Sequence, residues 1–146
     1  MRNIVISGTG VFTPEQSITN EELVKAYNSY AANYNLTNKD EIEAGTKVAL
    51  ESSSAKFIYN ASGIRNRYVM DKKGILDPNI MHPILDKRSN DAPSIFAEMA
   101  VNAAKKALKS ARKTSHDIDA VITACSNLER AYPAISIEVQ ELLGVK

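Results

Sequence analysis

Asp117-Ile118-Asp119-Ala120-Val121-Ile122-Thr123-Ala124 decides the fold class. Its centre, Ala120 to Ala124, is a short apolar run of the kind that forms a strand buried on both faces of a parallel sheet. Ahead of it Phe96, Met99, Ala100, Ala103, Ala107, Leu108 and Ala111 fall on one helical face, with Asn90-Asp91 as a cap and Pro93 suited to the first turn. A helix feeding a buried strand is the alternation of an α/β protein. Beyond the run, Ala134 to Leu143 reads as a further helix, with Pro133 just before it and Gly144 just past its end.

Toward the amino terminus, residues 70–93 hold Gly74, Pro78, Pro83 and Pro93, while Ile75, Leu76, Ile80, Ile84 and Leu85 follow neither strand nor helix period. This predicts a long ordered loop or an inserted one, docked by its apolar side chains; loops of that length in compact domains are usually functional or disordered. Ile64-Arg65-Asn66-Arg67-Tyr68 alternates as a half-buried strand does. Between Ala31 and Ser54, Ala44, Val48 and Leu50 suggest helix, interrupted by Gly45 and a serine run. Thr19-Asn20-Glu21-Glu22 is a capping box, opening a helix through Leu23, Val24 and Tyr27. Asn3 to Ile6, continued through Gly8-Thr9-Gly10 to Val11-Phe12 and ended by Thr13-Pro14, reads as a first strand with a glycine-softened end.

The 146 residues, 44% hydrophobic and 24% charged, fit one globular domain with one core. No repeat, low-complexity segment or Gly/Ser linker divides them. No apolar run approaches the roughly 18 residues that cross a bilayer, and Gly8 and Gly10 break the stretch that a signal peptide needs, so a cytoplasmic protein is expected. Eighteen basic against seventeen acidic side chains give a net charge of +1. Such a balance supplies no field for nucleic acid or an anionic membrane, leaving small molecules or proteins as partners. Cys125 is the sole cysteine, and His82 and His116 lie in no ligand spacing, so no metal site is expected.

Four patterns, in order, resemble the β-ketoacyl-acyl-carrier-protein synthase III family: Gly8-Thr9-Gly10-Val11-Phe12-Thr13-Pro14; Ile18-Thr19-Asn20-Glu21-Glu22-Leu23; Ala61-Ser62-Gly63-Ile64-Arg65-Asn66-Arg67-Tyr68; and Val121-Ile122-Thr123-Ala124-Cys125-Ser126 followed by Tyr132-Pro133-Ala134 and Gln140-Glu141-Leu142-Leu143-Gly144. The resemblance implies a thiolase-like fold, of which residues 1–146 are the first half, ending before the catalytic helix. It implies condensation of an acyl thioester, on coenzyme A or acyl carrier protein, with malonyl carrier protein in fatty-acid-type biosynthesis. It also implies a homodimer for the full-length protein and no cofactor besides acyl-CoA as substrate. The family's reactive cysteine follows the Leu-Gly pair and its histidine and asparagine come later, so no catalytic residue is assigned in this chain, which alone should be inactive. The alternative is a catalytically silent thiolase-fold scaffold for binding or dimerisation.

The resemblance also marks substrate-binding candidates. Phe57 stands where the family often has a tryptophan that stacks on the adenine of coenzyme A; the bland reading is a core residue. Ala61 replaces the arginine expected four positions on, calling for a different donor, a rearranged clamp, or help from residues 70–93. Arg65 and Arg67 suit phosphates or an acidic carrier, or else a structural ion pair. Tyr132 stands where an aromatic side chain closes the partner's acyl pocket, or else packs in the turn before Pro133. Ser126 and Asn127 line the same pocket or satisfy turn amides.

Several other features read as structural. Cys125 is expected to close a buried strand as a small apolar residue, since no helix start or basic neighbour activates it. Lys105, Lys109, Arg112 and Lys113 read as a solvated helix end complementing the macrodipole, with docking of an acidic carrier as the alternative. Gly8-Thr9-Gly10 lacks the third glycine and helix start of a dinucleotide loop.

Overall fold

The computed structural model describes residues 4–146. Elements follow in the order β1 (Gln16–Thr19), α1 (Asn20–Thr37), α2 (Lys39–Glu43), α3 (Ala55–Ser62), β2 (Asn66–Val69), α4 (Lys73–Leu76), α5 (Ile95–Ala111), a 3-10 turn (Ser115–Asp117) and α6 (Ile135–Leu143). They divide into two compact units, Thr13–Lys87 and the residues up to Phe12 together with Arg88–Lys146.

In the Thr13–Lys87 unit, β1 and β2 pair antiparallel, Gln16 opposite Val69 and Thr19 opposite Asn66. The expected capping box is present: Thr19 Oγ1 accepts from Glu22 N–H at 3.2 Å, and Glu22 Oε2 accepts from Thr19 N–H at 2.9 Å. Both bonds satisfy helix-start amides that no intrahelical carbonyl reaches. Lys72 pairs with Glu22 at 2.5 Å, and that contact, followed by the Thr19 amide, holds the Glu22 carboxyl below its ordinary value. The core here is Ile18, Ala26 and Ala31, with Asn20 buried among them. Asn20 is satisfied by donating to Ile64 O at 2.7 Å and accepting from Arg67 Nη1 at 2.8 Å, as a buried amide requires.

Helix continues past Tyr27 to Thr37, and the serine run is coil leading to the Ser54 cap of α3. The Ile64–Tyr68 alternation is realised as β2, whose residues alternate between exposed and half-buried. Residues 70–93 are mostly irregular apart from α4. Asp71 ties that segment together: its carboxylate accepts from Lys73 N–H at 3.0 Å, Gly74 N–H at 3.1 Å and Ile84 N–H at 2.6 Å. These bonds, Ile84 foremost, lower its pKa.

In the other unit α5 packs on α6. Ala97 and Val101 meet Ile135 and Val139, with Phe96, Ala100, Val121 and Leu143 around them. The cap of α5 is Ser94, whose hydroxyl accepts from Ala97 N–H at 3.1 Å. Pro93 precedes the cap and Asn90-Asp91 lies outside the helix, so the expected start shifts to the residue whose hydroxyl reaches the third amide. Helix α6 begins and ends as expected, with Gly144 left-handed at φ 68°.

Two expected strands are corrected. Residues 4–12 and Ala120–Ala124 carry no ladder in the described residues, and the one sheet there is antiparallel rather than parallel; Asn3 lies outside the described residues. A β-rich run becomes a strand only when another strand supplies its hydrogen bonds. The glycines of the first segment serve helix contact instead: a Cβ on Gly8 would stand 2.5 Å from Ala107 O, and one on Gly10 2.2 Å from Ala103 O, both in α5. Around Val121, which faces the helical core, the side chains alternate, and Ile122 is 93% exposed. The run is therefore covered on one side, not two.

Candidate functional site

Phe57 is set by a local device. Ser54 Oγ accepts from Phe57 N–H at 3.1 Å and caps α3, whose far end is closed by Gly63 in a left-handed turn. The ring is 67% exposed, which corrects the core reading of Phe57. It borders an open groove of about 720 Å³ with Leu23, Val24 and Tyr27 of α1, residues 51–54, Ile58 and Met81. An exposed aromatic ring beside apolar walls, with hydroxyls at one side, suits a flat ligand with a polar edge. Met81 comes from the 70–93 segment and stands at φ 56°, an uncommon conformation for a side chain of that size.

Arg65 lines a second, more polar hollow of about 390 Å³ with Asn20, Glu21, Lys56, Tyr59 and Asn66. Its guanidinium lies 4.2 Å from the Tyr59 ring centroid, a cation–π arrangement that orients the fork without neutralising it. The ion-pair reading of the two arginines is not what the structure shows: among the described residues Arg65 and Arg67 make no salt bridge, Arg65 resting on Tyr59 and Arg67 on Asn20. Ser54 and Phe57 border the first hollow and Ala55 and Lys56 the second, so the first turn of α3 separates an aromatic wall from a cationic one.

Ser126 and Tyr132 lie in the other unit, in the irregular segment between the 3-10 turn and α6. Tyr132 is 87% exposed, so its ring does not pack into the turn. Cys125 is exposed, and its thiol donates to Asn127 O at 2.8 Å. This corrects the buried Cys125, because the run that was to bury it has no strand beside it. Lys113 pairs with Asp117 at 3.0 Å, while Arg112 takes a left-handed conformation as the cap of α5.

Of the sequence candidates, Phe57 and Arg65 each border a hollow, alongside Tyr27 and Met81 in the first and Lys56 and Tyr59 in the second, none of which the sequence singles out as a site residue. Tyr59, two residues on from Phe57, faces the other hollow, and its spacing does not mark it as the partner of Arg65. Met81 carried no local signal, since its place depends on how Asp71 folds the loop.

No family model matches the chain. It is similar to the β-ketodecanoyl-[acyl-carrier-protein] synthase of Pseudomonas aeruginosa, 51% identical over 123 residues, which are 84% of this chain and 35% of the relative. The β-ketoacyl-[acyl-carrier-protein] synthase III of Granulibacter bethesdensis is 27% identical over 146 residues, 100% of this chain and 32% of the relative. The synthase III 1 of Bacillus cereus is 26% identical over 144 residues, 99% of this chain and 32% of the relative. The chain spans about a third of the length of these relatives. It is homologous, along most of its length, to the amino-terminal part of β-ketoacyl-[acyl-carrier-protein] synthases of the III type, as the motifs at 8–14, 18–23, 61–68 and 121–144 indicate.

Proposed function

We propose that this chain is the amino-terminal part of a condensing acyltransferase that joins an acyl thioester to malonyl carrier protein. The observation that carries the reading is the 51% identity with a β-ketodecanoyl synthase. In the proposed reaction an enzyme thiolate takes the acyl group and releases the carrier thiol. Loss of CO2 from the malonyl unit then supplies the carbon nucleophile that breaks the acyl-enzyme bond. The thiolate belongs to the rest of the full-length protein, and we assign no catalytic residue among 1–146.

The groove at Phe57 would receive the carrier end of the thioester, with coenzyme A as the first ligand to test. Arg65 with Lys56 beside it is suited to phosphate or an acidic carrier. Ser126 and Tyr132 are the proposed acyl-side residues. The Pseudomonas relative's name specifies a ten-carbon product; two carbons from malonate leave an eight-carbon primer. A thiolase-like fold, a homodimer and a cytoplasmic location belong to the same proposal. Similarity to synthases named for their activity favours this reading over a silent scaffold.

The test is made on the full-length protein from its native source, incubated with octanoyl-coenzyme A and malonyl carrier protein. We expect one acylated cysteine outside residues 1–146, blocked by iodoacetamide, and a 3-oxodecanoyl product. Absence of both acylation and CO2 release, with shorter and longer primers also inert, would sink the enzyme reading.

A further inference from the structure

Segment 50–54 leads into α3 and lines one side of the groove through residues 51–54, yet little of its own backbone holds it. Among the described residues, no backbone group from Val48 to Ser53 bonds to another backbone group. Two asparagines of α1 take that role. Asn28 Nδ2 donates to Ser53 O at 3.1 Å while its Oδ1 accepts from Ser53 N–H at 2.8 Å. Asn35 repeats the pattern on Leu50, donating to its carbonyl at 2.9 Å and accepting from its amide at 2.8 Å.

The two clamps match in register. Asn28 and Asn35 are seven residues apart, so they share a helix face about 10 Å apart along the axis. Leu50 and Ser53 are three residues apart, about 10 Å in extended chain. Each side-chain amide thus does for one residue what a neighbouring strand would do, and the segment runs antiparallel to the helix. Ser53 precedes Ser54, which caps α3 through the Phe57 amide. A line of contacts therefore leads from Asn28 to the residue that presents the aromatic wall.

We infer that Asn28 and Asn35 are positioning residues for the groove, holding 50–54 so that Phe57 and the serine hydroxyls meet the carrier end of the thioester. This rests on the proposed use of the groove. It makes groove occupancy and closure of the segment one coupled event, because an unclamped segment takes the wall and the start of α3 with it.

The test combines amide hydrogen exchange on the full-length protein with calorimetric binding of coenzyme A. In Asn28→Ala the Ser53 amide should exchange about tenfold faster and in Asn35→Ala the Leu50 amide likewise, each having lost two hydrogen bonds. Coenzyme A should bind about tenfold more weakly to both variants, with helical circular dichroism unchanged. Asn28→Asp keeps the acceptor for Ser53 N–H but sets a second oxygen against Ser53 O, and should restore only part of the protection. In the unsubstituted protein, added coenzyme A should slow exchange at both amides. Fast exchange with undiminished affinity, or unchanged exchange in the alanine variants, would overturn the inference. If the unsubstituted protein binds no coenzyme A, the use proposed for the groove fails instead; the exchange rates, which report on the clamps alone, tell the two failures apart.

Discussion

Asp117 shows how much one side chain can do at the surface. Its carboxylate accepts from Thr114 N–H at 2.8 Å, from Thr114 Oγ1 at 3.0 Å and from Lys113 Nζ at 3.0 Å. Those bonds, the Thr114 amide first, lower its pKa from 3.8 to about 2. A folded-state value below the ordinary one means that the bonds favour the folded turn fully above the ordinary value, and that this contribution fades as pH falls toward the lower one. NMR titration should place the Asp117 midpoint near 2, and Thr114→Ala, which removes the hydroxyl and keeps the backbone amide, should move it up only part of the way. An unmoved midpoint in that variant would show that the Thr114 amide and Lys113 set it without the hydroxyl. Capping boxes such as Thr19 with Glu22 are legible in sequence because both partners lie within one turn. The Asn28–Ser53 clamp is not legible, since nothing in either residue names a partner 25 positions away.

At the scale of elements, the pairing of α5 with α6 depends on one buried carboxylate as well as on apolar contact. Glu138 Oε1 accepts from Ser94 N–H at 3.0 Å and Oε2 from Ser94 Oγ at 2.6 Å. Arg130 stands 3.8 Å away and also donates to Asn90 O at 2.9 Å and Ala92 O at 2.8 Å. Glu138 is 7% exposed, so removing it leaves a buried amide and hydroxyl short of an acceptor. Glu138→Ala should lower unfolding free energy by about 1–3 kcal/mol in a denaturant titration, and Glu138→Gln by less. A loss under about 0.5 kcal/mol for Glu138→Ala would mean that the apolar seam alone holds the pair. Helices α5 and α6 were legible because a helix carries its own hydrogen bonds and its apolar face repeats locally. The expected strands at 4–12 and 120–124 were not realised, because a strand depends on a neighbour that local sequence does not specify.

At the scale of the whole chain, the distribution of apolar surface is the main physical fact. Ile4, Val5, Ile6 and Val11 are exposed at one stretch, and Ile122, Leu128 and Tyr132 at another, both in the unit that contains α5 and α6. The sequence marks residues 4–12 and 120–124 as β-rich and fit for burial, so local preference and observed exposure conflict at Ile4, Val5, Ile6, Val11 and Ile122. In homologues about three times as long, such stretches have more chain available to cover them, and a β-rich segment left open offers its backbone and side chains to other molecules. The 146-residue chain studied alone should therefore bind a hydrophobic dye such as anilinonaphthalene sulfonate and self-associate as its concentration rises. Ile6→Lys combined with Ile122→Lys should reduce both effects in light scattering and fluorescence. The double variant should leave the helical signal intact, because neither residue belongs to the Ala97–Val101–Ile135–Val139 core. If dye binding and association are unchanged in that variant, the adhesive surface lies elsewhere, with exposed Leu36 and Val48 of the Thr13–Lys87 unit the next residues to charge.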